Sequence, residues 1–306
     1  MRARVISNLC IKGSYYKLIF KPSTSIRAIA GQFLMIRPTA YQALYEPLLP
    51  RPFSIHRLTS DGNIEVLYKV VGKGTAILAK LDNDDEIDFI GPLGNGFPVR
   101  LTQENENPVC HPDPELDSGV TGSGVSGSQN EGMLKQVQHD RVAGFSGEIL
   151  IVAGGIGVAP MLYLAESLRV SCPENKIIVF VGGREAGDIL CAEELKKIAT
   201  EVILATQDGS TGIKGYVTEA LEWYLRKCPL DAHATIYACG PNPMLKRIAE
   251  IVYPLNIDTY FSLEATMACG IGLCMGCAVK RKGGGYFLVC KDGPVFRGET
   301  IDFADE

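Results

Sequence analysis

Four cysteines near the end of the chain, Cys269, Cys274, Cys277 and Cys290, follow a C-x4-C-x2-C-x12-C spacing. Three of them fall in nine positions, in the stretch MACGIGLCMGCAVK, together with Gly270, Gly272 and Gly276. Thiolates are soft donors, and the first three match the C-x4-C-x2-C run that wraps one side of a plant-type [2Fe–2S] cluster, with a fourth ligand arriving from farther along. Structural zinc favours two separate C-x2-C or C/H pairs, and only Cys274 and Cys277 make such a pair. The glycines let the loop curl and turn its N–H groups toward the sulfurs. The spacing points to an iron–sulfur centre.

Two glycine turns add a second kind of chemistry. VAGGIGVAP places Gly154, Gly155 and Gly157 between an apolar strand and a helix, where a phosphate can approach a helix N-terminus. It is not the full G-x-G-x-x-G pattern, and a tight strand-to-helix connection explains it equally well. YACGPNPM again ends a strand and opens a helix, with Cys239, Gly240 and Pro241 at the turn. Cys239 also reads as a small buried apolar residue. Two such turns on the carboxyl edge of one sheet form a crevice suited to a dinucleotide. Farther upstream, RPFS (Arg51, Pro52, Phe53, Ser54) combines a forked cation with an aromatic ring, which suits a pyrophosphate and a flat ring system, although an ordinary edge-strand arginine reads the same way. YKVVGKGT adds Tyr68, Lys69 and a Gly-x-Gly-Thr turn able to reach another phosphate.

The elements that must position these groups fall into four stretches. Residues 1–102 show short β-branched and aromatic runs (Val5-Ile6, YYKLIF, GQFLMIRP, RPFSIHRL, IEVLYKVV) separated by turn residues, which predicts an antiparallel β-barrel. Residues 103–146 are rich in Gly, Ser, Pro, Asn and Asp and poor in large apolar residues, which predicts a low-complexity, disordered insertion with at most one helical turn near GMLKQVQ. Its Cys110, His111 and His139 lack the close spacing of a metal site. Residues 147–260 alternate strands with amphipathic helices, the pattern of a doubly wound parallel sheet. Residues 261–306 hold the thiols. The expected class is multidomain, β followed by α/β, with a small C-terminal cluster domain.

Composition removes several alternatives. With 35 acidic and 30 basic side chains among 306 residues, the net charge of −5 implies no broad nucleic-acid surface. The most apolar segment, 149–165, contains GGIG and a proline and reads as strand, turn and helix instead of a membrane span. The opening residues alternate, so no leader is expected there. Six further cysteines (Cys10, Cys110, Cys172, Cys191, Cys228, Cys239) show no paired spacing, which fits a reducing, cytoplasmic setting without a disulfide framework.

A flavin-sized site, a nicotinamide-sized crevice and an iron–sulfur loop in one chain describe a converter between two-electron and one-electron transfer, since only a flavin handles both. RPFS, YKVVGKGT, GPLGNGF, VAGGIGVAP, TQDGSTGIKGYVTE, YACGPNPML, SLEATMACGIGLCMGCAVK and VCKDGPVF together resemble the electron-transfer subunits of NAD-dependent dihydroorotate dehydrogenases, a branch of the ferredoxin reductase-like flavoproteins. The resemblance covers the chain apart from 103–146. It implies FAD contacts from Arg51, Pro52, Phe53, Ser54, Leu67, Tyr68, Lys69, Gly74 and Thr75, and NAD contacts from Gly154, Gly155, Gly157, Cys239, Gly240 and Pro241. It also implies Cys269, Cys274, Cys277 and Cys290 as the cluster ligands. No side chain takes a catalytic role, with Cys239 placed near the nicotinamide. The implied partner is a separate FMN-containing subunit that oxidises dihydroorotate to orotate for pyrimidine synthesis, in a heterotetramer, with no membrane and no nucleic acid involved. The family often has arginine where this chain has Thr266. Rival readings are the small subunit of an NADPH-dependent ferredoxin or sulfide oxidoreductase, whose members tend to have aspartate at the position of Cys269, a stand-alone NAD(P)H:flavin reductase, and a cluster-based redox sensor. NADH versus NADPH choice turns on groups after VGG, Arg184 or Glu185.

Overall fold

A computed structural model describes residues 1–37, 48–99, 147–228, 230 and 233–303. The segment 103–146, with its GMLKQVQ turn, Cys110, His111 and His139, lies outside them.

The first unit is a seven-stranded antiparallel barrel built from β1 (Arg2–Lys12), β2 (Tyr15–Pro22), β3 (Phe33–Arg37), β4 (Arg51–Ser54), β5 (Arg57–Leu58), β6 (Ile64–Lys69) and β7 (Glu86–Leu93). The order across the sheet is β4-β3-β7-β1-β2-β6-β5. Alternation buries Ala3 and Val5 on β1, and Leu18 and Phe20 on β2, against Leu34, Ile36, Val66 and Phe89. Strand β7 was not anticipated. Its buried Ile87 and Phe89 alternate with the acidic Glu86 and Asp88, and it pairs with both β1 and β3 inside the sheet. The segment read as a Gly-x-Gly-Thr turn is instead the start of a short helix, α1 (Lys73–Leu78), because the Thr75 hydroxyl accepts the N–H groups of Val71 and Gly72 and closes the first turn.

The second unit carries β8 (Ile149–Gly154), α2 (Val158–Ser171), β9 (Ile177–Gly183), α3 (Ala192–Lys196), β10 (Glu201–Thr206), β11 (Ile213–Lys214), α4 (Val217–Lys227), β12 (Thr235–Cys239), α5 (Asn242–Val252) and β13 (Asp258–Ser262). Ile149 to Ala153 and Ile177 to Val181 are wholly buried, as expected for strands covered on both faces. The order β11-β10-β9-β8-β12-β13 is parallel throughout. The chain builds outward from β8 to β10, then returns to place β12 on the other side of β8. The switch point therefore lies between β8 and β12.

The remaining elements are β14 (Ala278–Lys280), β15 (Tyr286–Leu288), α6 (Val289–Asp292) and β16 (Val295–Arg297). Strands β14 and β15 form a hairpin, and β16 returns antiparallel to β13 at the edge of the second sheet. Among the described residues no helix is long and apolar enough to cross a membrane.

Polar pins lock the barrel to the second sheet. Buried His56 lies with Nδ1 2.7 Å from the Ala159 carbonyl, so that nitrogen carries the proton, and burial lowers its pKa and favours the neutral ring. Arg57 grips Glu166 of α2 with two N–H groups, and the hydroxyls of Tyr163 and Tyr237 donate to the carbonyls of Ala28 and Pro98.

Candidate active site and thiol loop

The barrel and the second sheet enclose a cavity of about 770 Å³. All nine residues expected to meet a flavin line it: Arg51, Pro52, Phe53 and Ser54 from β4, Leu67, Tyr68 and Lys69 from β6, and Gly74 and Thr75 from α1. Tyr68 is mainly core. Its ring is 2% exposed, stacks on Tyr16 and meets Phe53 edge-on, and its hydroxyl donates to Asn8. Arg51 crosses over α1 so closely that a Cβ on Gly74 would stand 3.2 Å from its Nε. A guanidinium and a helix start thus share one wall of a cavity that Lys69 and Lys73 also line, a donor set suited to a large anionic ring ligand.

The two glycine turns meet at the switch point, but their glycines do different work. Gly157 and Cys239 line the cavity, whereas Gly154, Gly155, Gly240 and Pro241 stand behind or beside it. A Cβ on Gly154 or Gly240 would strike the Met244 side chain at 2.5 Å, and one on Gly157 would strike the Cys239 carbonyl at 2.4 Å. These three allow close packing of strand and helix. Gly155 alone has φ +54° and open space around it, so it is the position a phosphate can approach. Burial pushes the Cys239 thiol far up, leaving a neutral S–H beside Ser262, its partner across β12 and β13.

The sequence reading missed the rear wall: Ser262, Leu263, Glu264, Ala265 and Met267. The signal was present, because β13 is the next parallel strand after β12 and its carboxyl end faces the same crevice. Glu264 lines the cavity with part of its surface exposed, and desolvation by the protein around it raises its carboxyl.

That wall runs straight into the thiol loop, since Cys269 follows Met267 by two residues. The β14–β15 pairing, Ala278 opposite Leu288, brings Cys290 back beside Cys277, with their sulfurs 3.3 Å apart. The twelve intervening residues are therefore a hairpin whose tip is Gly283 to Gly285, all at positive φ. Cys269 and Cys274 form the second pair, joined by a thiol hydrogen bond. Backbone N–H groups of Ile271, Leu273 and Cys274 point at the Cys269 sulfur, at 3.4–3.5 Å. Gly272 donates to Cys290 at 3.1 Å, and Cys290 to Cys277 at 3.4 Å. The N–H bonds hold Cys269 down at about 6, whereas burial pushes Cys290 up to about 12. Among the described residues no three His, Cys, Asp or Glu side chains converge as a single-ion site requires. Two thiol pairs ringed by N–H donors instead fit two irons with two terminal thiolates each. A Cβ on Gly270 would stand 2.4 Å from Met35 of β3, so the loop packs directly on the flavin-side barrel. Thr266 is exposed.

The comparisons with known proteins match this geometry. The model of the iron-sulfur cluster binding domain of dihydroorotate dehydrogenase B matches residues 264–302, and that of the oxidoreductase NAD-binding domain matches 151–250. The dihydroorotate dehydrogenase B (NAD(+)) electron transfer subunit of Clostridium acetobutylicum is 34% identical over 99% of this chain and 97% of its own length. The chain belongs to the family of dihydroorotate dehydrogenase B electron transfer subunits. The same-named subunit of Clostridium perfringens is 32% identical over 99% of this chain and 98% of its own. A solved NADH-dependent reduced ferredoxin-NADP oxidoreductase superposes with TM-score 0.73 at 25% identity, covering 98% of this chain and 90% of that one. A ferredoxin NADP+ reductase from Neisseria gonorrhoeae with bound FAD and NADP shares the fold at TM-score 0.56 and 13% identity, covering 84% of this chain and 91% of that one.

One contact between the family's two nucleotide-handling units stands out. Asp188, after β9, accepts from the Tyr15 hydroxyl at 2.6 Å and from Lys69, a cavity residue, at 3.3 Å, while the Arg184 N–H donates to its other oxygen at 3.1 Å. Burial raises its carboxyl, but the Tyr15 and backbone hydrogen bonds and the Lys69 charge outweigh it and leave the carboxyl low. A depressed carboxylate stabilises the fold above its unfolded pKa and loses that contribution as pH falls through the folded value. Asp188→Asn is expected to cost about 1 kcal/mol after solvent screening, a few degrees of midpoint, at pH 6 to 8. The difference from wild type should close below about pH 4. Paired thermal melts across pH check this, and a difference independent of pH excludes the charge as its source.

Proposed function

We propose that this chain carries electrons between NADH and the FMN of a separate dihydroorotate-oxidising subunit, by way of FAD and a [2Fe–2S] cluster. On this reading residues 1–102 hold FAD, 147–260 hold NAD and 261–306 hold the cluster. One observation carries it: the segment Ser262–Met267 forms the rear wall of the cavity and leads within two residues to the first thiol. A ring in the cavity and a cluster in the loop are thereby neighbours.

Bound FAD would supply the exchange between hydride transfer and single-electron transfer. The protein's own part is positioning. Arg51 and the start of α1 hold negative charge at the barrel side. Phe53, Tyr68 and Leu67 give the ring an apolar bed, with Tyr68 locked by Asn8. Gly157 and the neutral Cys239 form a low wall, so a nicotinamide can lie flat from the side of the second sheet. Lys69 links the flavin side to Asp188 on the nicotinamide side. Cys269, Cys274, Cys277 and Cys290 would hold the cluster, whose bound form takes one electron at a time.

The heterotetramer with two copies of each subunit and the cytoplasmic setting belong to this proposal as what the family resemblance implies; the name "electron transfer subunit" among the relatives supports the partner subunit itself. The likeness to an NADH-dependent reduced ferredoxin-NADP oxidoreductase supports, as the second reading, a ferredoxin-linked oxidoreductase subunit. The four-thiol set and the full-length relatives favour the orotate reading. The test is a visible spectrum of the anaerobically purified chain before and after NADH. Bleaching of flavin and of long-wavelength cluster absorption is expected. Flavin bleaching with no cluster absorption after anaerobic reconstitution refutes the assignment of the thiols.

A further inference from the structure

We propose that Asn95 is a positioning residue for the iron–sulfur thiols: from the barrel it caps the short helix that carries Cys290 and holds that ligand in register with the other three. The inference rests on the reading of the four cysteines as cluster ligands. It gives a task to the GPLGNGF motif, residues 91–97, none of which lines the cavity.

Strand β7 places the motif. It is paired with β1 and β3 inside the barrel sheet, and the chain leaves it at Leu93 against the thiol loop. A Cβ on Gly270 would stand 3.4 Å from Leu93 Cδ1, so the first half of the thiol set rests on the end of this strand. The next residues meet the second half. A Cβ on Gly94 would stand 2.5 Å from the Gly293 carbonyl oxygen and 2.6 Å from Pro294. Glycine is also what the φ of +72° at this position favours, and Gln32 donates to the Gly94 carbonyl at 3.0 Å.

Asn95 then reaches α6 with two N–H donors. Its backbone N–H donates to the Gly293 carbonyl at 2.6 Å, and its side-chain amide to the Asp292 carbonyl at 2.8 Å. Those carbonyls belong to the last residue of α6 and to its C-cap, groups that a helix cannot satisfy by itself. The other end of α6 is closed locally. The Asp292 carboxylate accepts the Leu288 N–H at 2.7 Å, and the Val289 N–H donates to the Cys277 carbonyl at 3.1 Å. A helix of four residues is too short to hold itself, so partners outside it define where Cys290 stands. Asn95 is exposed and fills no core space, and the work of its amide is to orient α6 against the barrel.

The test uses the full chain loaded with FAD and cluster, as wild type, Asn95→Ala, Asn95→Asp and Asn175→Ala. Aspartate keeps the shape and the backbone N–H of Asn95 but turns the side-chain donor into an acceptor. Asn175 is the matched control, because its amide also donates to a backbone carbonyl, that of Gly147 at 2.7 Å, at the entry to β8. Iron release to a chelator is timed anaerobically, and the reduced cluster is examined by electron paramagnetic resonance. Both Asn95 variants should release iron at least about tenfold faster than wild type, the scale of loss when a partner supporting a metal ligand is removed. Their resonance should shift, and Asn175→Ala should match wild type in both measurements. Wild-type release and resonance in Asn95→Ala or in Asn95→Asp, or equal acceleration in Asn175→Ala, overturns the inference while leaving the thiols as ligands. A wild type that takes up no iron on anaerobic reconstitution overturns the thiol assignment and the inference with it.

Discussion

Cys277→Ser is expected to empty the thiol loop and leave the flavin site working. Cys277 is 2% exposed, sits 3.3 Å from Cys290 and accepts the Cys290 N–H, so it is the dry anchor of the inner pair. A serine hydroxyl fits the space but is a hard donor that does not ionise near neutral pH, and soft thiolate donors are what hold an iron–sulfur cluster. Iron should fall from about two per chain to near zero. Electron delivery to the partner subunit should drop by more than the ~10–100-fold that loss of a merely supporting residue costs a metal site. Flavin bleaching by NADH should persist, since the cavity lining does not include Cys277. Cys10→Ser, an exposed cysteine on β1, is the matched control and should keep its iron. Iron analysis with long-wavelength absorption checks the pair. Full cluster content in Cys277→Ser would remove this residue from the ligand set.

Gly157→Ala should damage packing and stability more than Gly155→Ala does, whereas Gly155→Ala should act mainly on nucleotide binding. At Gly157 the backbone is ordinary right-handed (φ −59°, ψ −11°), so alanine meets no torsional cost. Its Cβ instead lands 2.4 Å from the Cys239 carbonyl oxygen and 2.8 Å from the Gly240 Cα. That target is backbone, pinned between β8 and β13, and cannot swing aside as a side chain would. Overpacking of this kind costs about 1–3 kcal/mol, and here it also pries α2 from β12 at the place where both line the cavity. Gly155→Ala carries the reverse balance: no contact within 4 Å, but a left-handed backbone that costs about 1–2 kcal/mol with a side chain. Thermal melts and NADH titrations of the two variants separate the cases. A Gly157→Ala protein with wild-type melting and affinity would show that the strand–helix contact is slack.

These contrasts mark what the residues disclose before any fold is known. The thiol spacing, the strand–helix alternation after Gly147, the RPFS strand and the CGP turn are local patterns, and local patterns are legible. The job of each glycine is not, because Gly154, Gly155 and Gly157 differ in backbone angle and in what faces them from Met244, Cys239 or open space. Strand β7 escaped notice since only Ile87 and Phe89 carry its alternation before Gly91 and Pro92, which read as strand breakers. The rear wall from Ser262 to Met267 and the Asp188 tie to Tyr15 and Lys69 depend on elements far apart in the chain. No window of sequence contains both sides of such a contact. The helix α1 was hidden by GKG, a turn signal overruled by one threonine hydroxyl.

The pairing of β13 with β16 has a consequence for how such a chain is assembled over evolutionary time. Ser262, where the chain leaves the sheet, is bonded opposite Val295, where it returns. Everything between, thiols included, is an excursion whose two ends are already side by side, so it can be gained or excised as a cassette with a short turn sealing the scar. A lineage that dropped it would keep its nucleotide sheet and flavin barrel and become a plain hydride enzyme. A lineage that swapped it would change the electrical outlet without rewiring the source.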